Sequence, residues 1–124
     1  MLAVRRLVAL ALLGLTALAA GCLSPTLPLP PPEEPDEIRQ STPGNWVVAG
    51  TCSPGAIVTV FDNRTGMGVV VEDKARSGRY AVSLPAHRCD TGFITQEVGG
   101  EVSAETSFQV MEIQEGSPTG AACQ

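Results

Sequence analysis

Hydrophobic and polar residues alternate at a spacing of two over much of the second half of the chain. In residues 56–61, Ala56, Val58 and Val60 fall on one side of an extended backbone, and residues 79–84 repeat the pattern. Alternation of this kind predicts β-strands that bury one face, and no stretch of useful length shows a helical period. The predicted strands cover residues 46–49, 56–61, 68–72, 79–84, 91–96 and 105–110.

Turn-forming residues separate these runs and indicate the fold class. The turn sequences are SPG at 53–55, DNRTG at 62–66, SG at 77–78, LP at 84–85 and GG at 99–100. Short strands at this spacing predict a small all-β sandwich of about seven strands over residues 45–113. Residues 114–124 contain Gly, Ser and Pro, and we expect them to form a flexible C-terminal tail.

The first 21 residues have a different pattern, an apolar run after a basic start. Arg5 and Arg6 precede the apolar residues 7–20, and small residues end the run. This three-part order predicts a secretory signal peptide over residues 1–21. A helix over the run is about 21 Å long, shorter than the roughly 30 Å hydrocarbon core of a bilayer, so a permanent transmembrane helix is the weaker alternative.

The residues that end this segment, Leu18-Ala19-Ala20-Gly21-Cys22, resemble the lipobox of bacterial lipoproteins. The resemblance implies that Cys22 receives a diacylglycerol thioether and that acyl chains such as palmitate then anchor the protein to a membrane of the cell envelope. In a Gram-negative organism, Leu23 after the cysteine implies the outer membrane, with the domain facing the periplasm or the cell surface. The alternative is an ordinary signal peptide cleaved nearby, which leaves Cys22 a plain thiol.

Residues 22–44 hold most of the ten prolines, together with Glu33, Glu34, Asp36 and Glu37. A Pro-rich, acidic segment favours an extended polyproline II path of about 3.1 Å per residue. We expect a tether that holds the folded domain up to about 60 Å from the bilayer. The alternative is a PxxP-type ligand for the groove of a partner protein.

The net charge narrows the range of partners. The 124-residue chain has 8 Lys and Arg against 13 Asp and Glu, and removal of residues 1–21 takes away Arg5 and Arg6 but no acid. The mature chain then carries 6 basic and 13 acidic residues, a net charge of −7. Nucleic acid is not an expected partner, because binding to phosphates requires a basic face.

Four stretches of the predicted domain carry a family resemblance. They are GT at 50–51, PGAIVTV at 54–60, SGRYAVSLP at 77–85 and GGEVS at 99–103. In this order and spacing they resemble a bacterial immunoglobulin-like domain and, less closely, a carboxypeptidase-regulatory-like domain. The resemblance implies an immunoglobulin-like sandwich that acts as an interaction or structural module. Only one copy is present where the family usually has several, so a long adhesive stalk is not implied.

With Cys22 assigned to lipid, Cys52, Cys89 and Cys123 remain, and disulfides persist in exported proteins. In the topology that the resemblance implies, the loops with Cys52 and Cys89 lie at one end of the sandwich, which favours a Cys52–Cys89 disulfide. This pairing requires a short strand within residues 73–76. Cys123 is then free or shared with another chain, and a Cys89–Cys123 bridge is the main competitor.

Few residues offer catalytic or metal-binding chemistry. His87 is the only histidine, which excludes most catalytic triads and histidine-based metal sites. Asp62 and Asn63, with Asp73 or Asp90, could bind Ca²⁺, but Asp and Asn are also ordinary turn formers. We therefore expect no catalytic residue, no metal and no cofactor.

Together these features predict a non-catalytic, membrane-anchored envelope lipoprotein that presents an immunoglobulin-like interaction or structural module. Its expected partners are the membrane, through the lipid, and an envelope or surface protein. The alternative function is a glycan-binding or adhesion module that uses Trp46, Tyr80 or the loops as its platform. An enzyme is the least expected class.

Overall fold

A computed structural model describes residues 27–124, and within this range the chain is all β, without a helix. Two antiparallel sheets of five strands each form a small β-sandwich. The strands are β1 (Glu37–Thr42), β2 (Asn45–Thr51), β3 (Ile57–Asp62), β4 (Gly68–Glu72), β5 (Arg79–Pro85), β6 (Thr91–Val98), β7 (Glu101–Val102), β8 (Thr106–Gln109), β9 (Ile113–Gln114) and β10 (Ser117–Pro118). The predicted fold class is confirmed, with ten strands in this range rather than about seven.

The first sheet, sheet A, has the strand order β10-β9-β1-β2-β5. β1 and β2 form a hairpin through Gly44, whose φ of 81° is a conformation that glycine adopts without steric cost. β2 then pairs with β5 along its whole length. Asn45 lies opposite Pro85 at one end, and Thr51 lies opposite Arg79 at the other.

The second sheet, sheet B, has the order β4-β3-β6-β7, and β8 pairs with the first half of β6. The turn between β3 and β4 is organised by buried Asp62, whose Oδ2 accepts hydrogen bonds from the backbone N–H and the hydroxyl of Thr65. In this strand order β4 is one edge of sheet B, and β7 and β8 together form the other edge.

The core lies between the two sheets. It contains the inward-pointing side chains of the alternating runs, including Val58 and Val60 of β3 and Val82 and Leu84 of β5. Trp46 of β2 is the largest of the fully buried side chains and is 1% exposed. Full burial of a Val or Leu side chain contributes about 1.5–3 kcal/mol, so this layer is the main source of stability.

The six strands predicted from alternation all form, each within two residues of the predicted ends. The additional strand expected within residues 73–76 does not form. Asp73 closes a tight turn there by accepting hydrogen bonds from the backbone N–H groups of Ser77 and Gly78. The chain crosses from sheet B to sheet A through this turn.

The prediction that residues 22–44 form a tether is wrong for the second half of this range. Glu37–Thr42 forms β1, which pairs along β2 and places Ile38 in the core at 1% exposure. The hydrophobic pattern does not predict this strand, because Ile38 is its only fully buried side chain and the other residues are polar. Its position depends on the neighbouring strand β2 rather than on its own pattern.

The Pro-rich stretch before β1 lies along one side of the sandwich. The Pro30 carbonyl accepts a hydrogen bond from Gln96 Nε2 at 2.8 Å, and the Pro32 carbonyl accepts one from the Thr106 hydroxyl. Pro32 and Pro35 are buried. We term this side, where the Pro-rich stretch accompanies β6 and β8, the closed side of the sandwich.

The predicted Cys52–Cys89 disulfide is wrong. The structure joins Cys89 to Cys123, with Cα atoms 5.5 Å apart, and Cys52 is the free cysteine among residues 27–124. Cys52 directly follows Thr51 at one end of the β2–β5 pair, whereas Cys89 lies beyond Pro85 at the other end. A strand of this length spans about 20 Å, far more than the roughly 7 Å Cα separation that a disulfide allows.

The predicted flexible tail is also fastened to the sandwich. β9 and β10 form a small hairpin, and Ile113 of β9 pairs with Ile38 of β1. The Gly116 N–H in this hairpin donates to the Asp36 carbonyl at 2.9 Å. With the disulfide at Cys123, these contacts complete the closed side.

The predicted signal peptide and Cys22 lie outside the described residues. Within residues 27–124, no helix is long and apolar enough to cross a membrane. Lipid attachment at Cys22 and export by residues 1–21 therefore stay predictions from the sequence.

Candidate interaction surface

The exposed large hydrophobic side chains of the sandwich concentrate on sheet B and its turns. Apart from Leu27, before the first strand, the described chain exposes Ile57, Met67, Val70, Val98 and Val102. Most outward side chains of sheet A are small, polar or charged, as at exposed Ala81 and Ser83, and the apolar Val47 is only half-exposed. The outer face of sheet B is therefore the more apolar of the two outer faces.

Two stacked phenylalanines lie at the centre of this outer face. Phe61 of β3 and Phe93 of β6 are cross-strand partners, with ring centroids 5.3 Å apart and ring planes at 25°. Alternation turns both rings away from the core, because the following residues, Asp62 and Ile94, are buried. An aromatic pair of this kind adds about 0.5–1.5 kcal/mol beyond its area burial, so the rings stabilise each other in place.

The residues around the two rings are small or β-branched. Val70, Thr59 and Thr95 form the neighbouring row across β4, β3 and β6. Gly68 lies opposite Phe61, and a Cβ at residue 68 would be 3.1 Å from the Phe61 Cβ, so a side chain there would crowd Phe61. We term this half-exposed surface the aromatic face. It consists of Thr59, Phe61, Gly68, Val70, Phe93 and Thr95.

β4 contributes Gly68 and Val70 to the aromatic face and is an edge strand of sheet B. The 2.9 Å hydrogen bond from the Asp62 N–H to the Met67 carbonyl marks a bonded pair at one end of the β3–β4 ladder. Bonded and non-bonded pairs alternate along an antiparallel ladder, so the N–H and C=O groups of Gly68, Val70 and Glu72 point away from β3. We term this row of backbone groups the open edge.

The open edge lacks several of the features that commonly protect an edge strand, and Glu72 at its end is its only charged residue. The sequence of β4, GVVVE, contains no Pro and no Lys, and its pairing with β3 is regular, without a bulge. Val70 at its centre is 64% exposed. A regular, apolar edge of this kind is a template for pairing with another strand.

The turn that follows β4 is held by one carboxylate. Asp73 accepts hydrogen bonds from the backbone N–H groups of Gly55, Ser77 and Gly78 and from the Ser77 hydroxyl. Burial raises the pKa of Asp73, but these donors outweigh burial and lower the pKa to about 2. The carboxylate is ionised at neutral pH and fixes the end of β4.

The residues considered for Ca²⁺ do not all come together. Asp62 and Asp73 lie at opposite ends of β3, roughly 20 Å apart by strand length. Asp90 is on the Asp62 side, but its carboxylate accepts hydrogen bonds from Arg64 Nε at 3.0 Å and from the His87 N–H at 2.8 Å. Among residues 27–124, no three His, Cys, Asp or Glu residues are grouped closely enough to hold a metal ion.

The aromatic residues predicted as a glycan platform belong to the core. Trp46 is 1% exposed and Tyr80 is 4% exposed, and Phe108 is buried as well. The half-exposed aromatic surface in the described range belongs to Phe61 and Phe93, which the sequence reasoning missed. Their outward positions follow from strand alternation, but their pairing depends on the register between β3 and β6.

Cys52 does not offer a reactive thiol. Its side chain packs partly against the core, and burial, together with the nearby Asp73 carboxylate, raises the pKa of the thiol. The thiolate is the nucleophilic form, so a raised pKa makes Cys52 a poor nucleophile at neutral pH.

A cleft of about 810 Å³ lies on sheet A beside β1 and β9, and its charges are largely paired with one another. Asp36 accepts two hydrogen bonds from the Arg79 guanidinium, at 2.8 and 3.0 Å, and Arg79 lowers the pKa of Asp36. Glu37 accepts a hydrogen bond from Arg39 Nε at 3.0 Å. The cleft therefore presents ion pairs rather than an activated acid, base or nucleophile.

Comparisons of the chain with protein families, with curated proteins and with solved structures find no match. The aromatic face, the open edge and the N-terminal sequence are therefore the features of the chain that point to a function.

Proposed function

We propose that the chain is a non-catalytic, membrane-anchored envelope lipoprotein that binds a protein partner through the aromatic face. The observation that carries the proposal is the half-exposed Phe61–Phe93 pair on the outer face of sheet B, near the 64% exposed Val70. A contiguous apolar surface on a small domain is typical of an interaction site. The resemblance to immunoglobulin-like domains supports the same role, because it implies an interaction or structural module.

The membrane anchor in this proposal rests on the sequence. The signal-peptide pattern over residues 1–21 and the lipobox-like residues 18–22 support lipidation of Cys22. Each buried CH₂ group contributes about 0.8 kcal/mol, so two or more acyl chains hold the protein firmly on the membrane.

The docked Pro-rich stretch sets the distance between the anchor and the domain. The Leu29 N–H donates to Glu101 Oε1 at 2.9 Å, so the sandwich already contacts the chain seven residues after Cys22. A fully extended chain covers at most about 3.6 Å per residue, which limits the reach from Cys22 to about 25 Å. In the proposed arrangement the domain therefore lies close to the bilayer, well within the 60 Å expected of an undocked tether.

Photo-cross-linking in the native envelope tests the binding surface. A photoreactive amino acid replaces Thr95 on the aromatic face in one variant of the full chain, and Ser83 on the outer face of sheet A in the control. We expect a discrete protein adduct from position 95 that position 83 does not give, and mass spectrometry would identify the partner. Equal adducts from both positions, or none from position 95, would contradict the proposal. Polysaccharide in place of protein at position 95 would favour the glycan-binding alternative.

Incorporation of labelled palmitate tests the anchor. We expect label in the wild-type chain and none in Cys22→Ala, because the thioether forms at that sulfur. Cys52→Ala is the matched control and should be labelled like the wild type. Equal labelling of Cys22→Ala and the wild type would rule out the lipoprotein proposal.

A further inference from the structure

We infer that the open edge binds a second copy of this chain: two β4 strands pair antiparallel about a two-fold axis at Val70 and join both B sheets into one. The inference concerns β4 rather than the binding of a partner to the aromatic face. It rests on the proposed function in one respect, because membrane attachment supplies the local concentration that the contact needs.

The backbone groups of the open edge in one copy can form hydrogen bonds with the same groups of a second copy. The outward-pointing residues Gly68, Val70 and Glu72 are placed symmetrically about Val70. In an antiparallel pair with residue 70 opposite residue 70, the two Val70 residues exchange two N–H···O=C hydrogen bonds. Each Glu72 N–H then donates to the Gly68 carbonyl of the second copy. A second copy presents the same edge, so a two-fold axis at Val70 satisfies the outward groups of both copies equally.

The side chains across this contact are also compatible. On the outer face Val70 lies beside Val70 of the second copy, and Glu72 lies opposite Gly68, so no two carboxylates oppose each other. On the inner face Val69 lies opposite Val71 of the second copy, and both are half-buried against the core. Cross-strand pairs of β-branched residues stabilise antiparallel sheets, so valines contact each other on both faces.

The contact between two β4 strands is small, so the dimer depends on attachment of both chains to the membrane. Stable protein interfaces in free solution bury about 1,200–2,000 Å², and one pair of five-residue strands buries less. Chains attached to the same membrane meet at a much higher effective concentration, which favours contacts that are weak in dilute solution. We therefore expect a dimer on the membrane and a monomer when the protein is diluted in detergent.

Thiol cross-linking in the envelope tests the pairing in the full-length chain. In a Cys52→Ser background, Val70→Cys places two thiols opposite each other on Cα atoms about 5.5 Å apart, within reach of a short bis-maleimide. The matched control is Val102→Cys, because Val102 is 60% exposed but lies on the opposite edge of sheet B. We expect roughly tenfold more covalent dimer from Val70→Cys than from the control. Equal yields from the two positions would overturn the inference.

Hydrogen exchange of the unsubstituted chain in lipid vesicles gives a second measurement that needs no variant. The N–H groups of Val69 and Val71 bond to β3 in a monomer, whereas the Val70 N–H points outward. Pairing predicts that Val70 exchanges as slowly as its two neighbours on vesicles and much faster in dilute detergent. Fast exchange at Val70 alone on vesicles would overturn the pairing. The proposed function is judged separately, by the adduct at position 95 and by palmitate labelling.

Discussion

The two lateral sides of the sandwich end in different ways. On the closed side, the carbonyls of Pro30 and Pro32 bond to Gln96 and Thr106, and the Cys89–Cys123 disulfide fastens the tail. On the other side, β4 and β5 are the last strands of their sheets within the part of the chain that the structure describes. One side is covered by the ends of the chain, and the other presents backbone groups outward.

The closed side therefore contributes to the stability of the fold, whereas the open edge contributes to association with another chain. The closing hydrogen bonds join residues 66 and 74 positions apart, so they restrain the whole chain. The open edge belongs to the local hairpin β3–β4, whose outward groups contribute nothing to the isolated fold. We expect substitutions on the closed side to lower the free energy of unfolding, and substitutions on the open edge to change pairing more than stability.

Removal of the disulfide has the largest expected effect on stability. In Cys123→Ser, two positions 34 residues apart are no longer joined. The chain-entropy treatment then gives a loss of about 4 kcal/mol in the free energy of unfolding. Urea unfolding under oxidising conditions measures the loss. Cys52→Ser is the control, because Cys52 is free, and an equal loss there would contradict the observed pairing.

Gly92→Ala has the next largest effect, because it disturbs the closed side from within sheet B. A Cβ at residue 92 would lie 2.6 Å from the Phe108 Cε1, so the ring has to move away from β6. Overpacking of this kind costs about 1–3 kcal/mol. Gly68→Ala on the open edge is the control, since its closest contact would be the Phe61 Cβ at 3.1 Å. Thermal unfolding that shows equal losses for both variants would remove the distinction between the two sides.

A smaller effect is expected for Thr106→Val, which removes the hydroxyl that donates to Pro32. The loss of a partly buried hydrogen bond lowers the free energy of unfolding by about 1 kcal/mol. Thr59→Val makes the same chemical change on the aromatic face and should stay within about 0.5 kcal/mol of the wild type. Unfolding midpoints in urea distinguish the two. If the variants are indistinguishable, the docked Pro-rich stretch does not stabilise the sandwich.

The pH dependence of stability depends on the turn after β4 and is confined to acid pH. The pKa of Asp73 is about 2 in the folded chain and about 3.9 in an unfolded chain. Its contribution is therefore fully present above about pH 4 and is lost as the pH falls towards 2. We expect the stability difference between the wild type and Asp73→Asn to shrink across this window. A difference that stays constant from pH 6 to about pH 2 would contradict this role.

Alternation was sufficient to predict strands whose inward positions are apolar. Val58 and Val60 in β3, and Val82 and Leu84 in β5, alternate with outward residues, and both strands form as predicted. β1 has Ile38 as its single fully buried side chain, so its strand conformation depends on pairing with β2. The docking of the Pro-rich stretch depends on residues far along the chain, which no local period encodes.

The disulfide and the aromatic face show the same limit of local patterns. The Cys52–Cys89 pairing required a further strand within residues 73–76, which would have brought both loops to the same end of the sandwich. That strand does not form, so β5 runs antiparallel to β2 and the loop with Cys52 lies at the opposite end from Cys89. Likewise, alternation turns Phe61 and Phe93 outward, but only the register of β3 on β6 makes them neighbours.

The docked Pro-rich stretch also determines how the domain responds to mechanical force. A pull on the N-terminal end loads the contacts of Leu29, Pro30 and Pro32 before β1, because they come first along the chain. Their release adds about 20 Å of extended chain over residues 30–36 while the β1–β2 ladder stays intact. We expect the stretch to lengthen under load and to dock again when the load falls. Single-molecule force spectroscopy should resolve this lengthening as a reversible step before the sandwich unfolds.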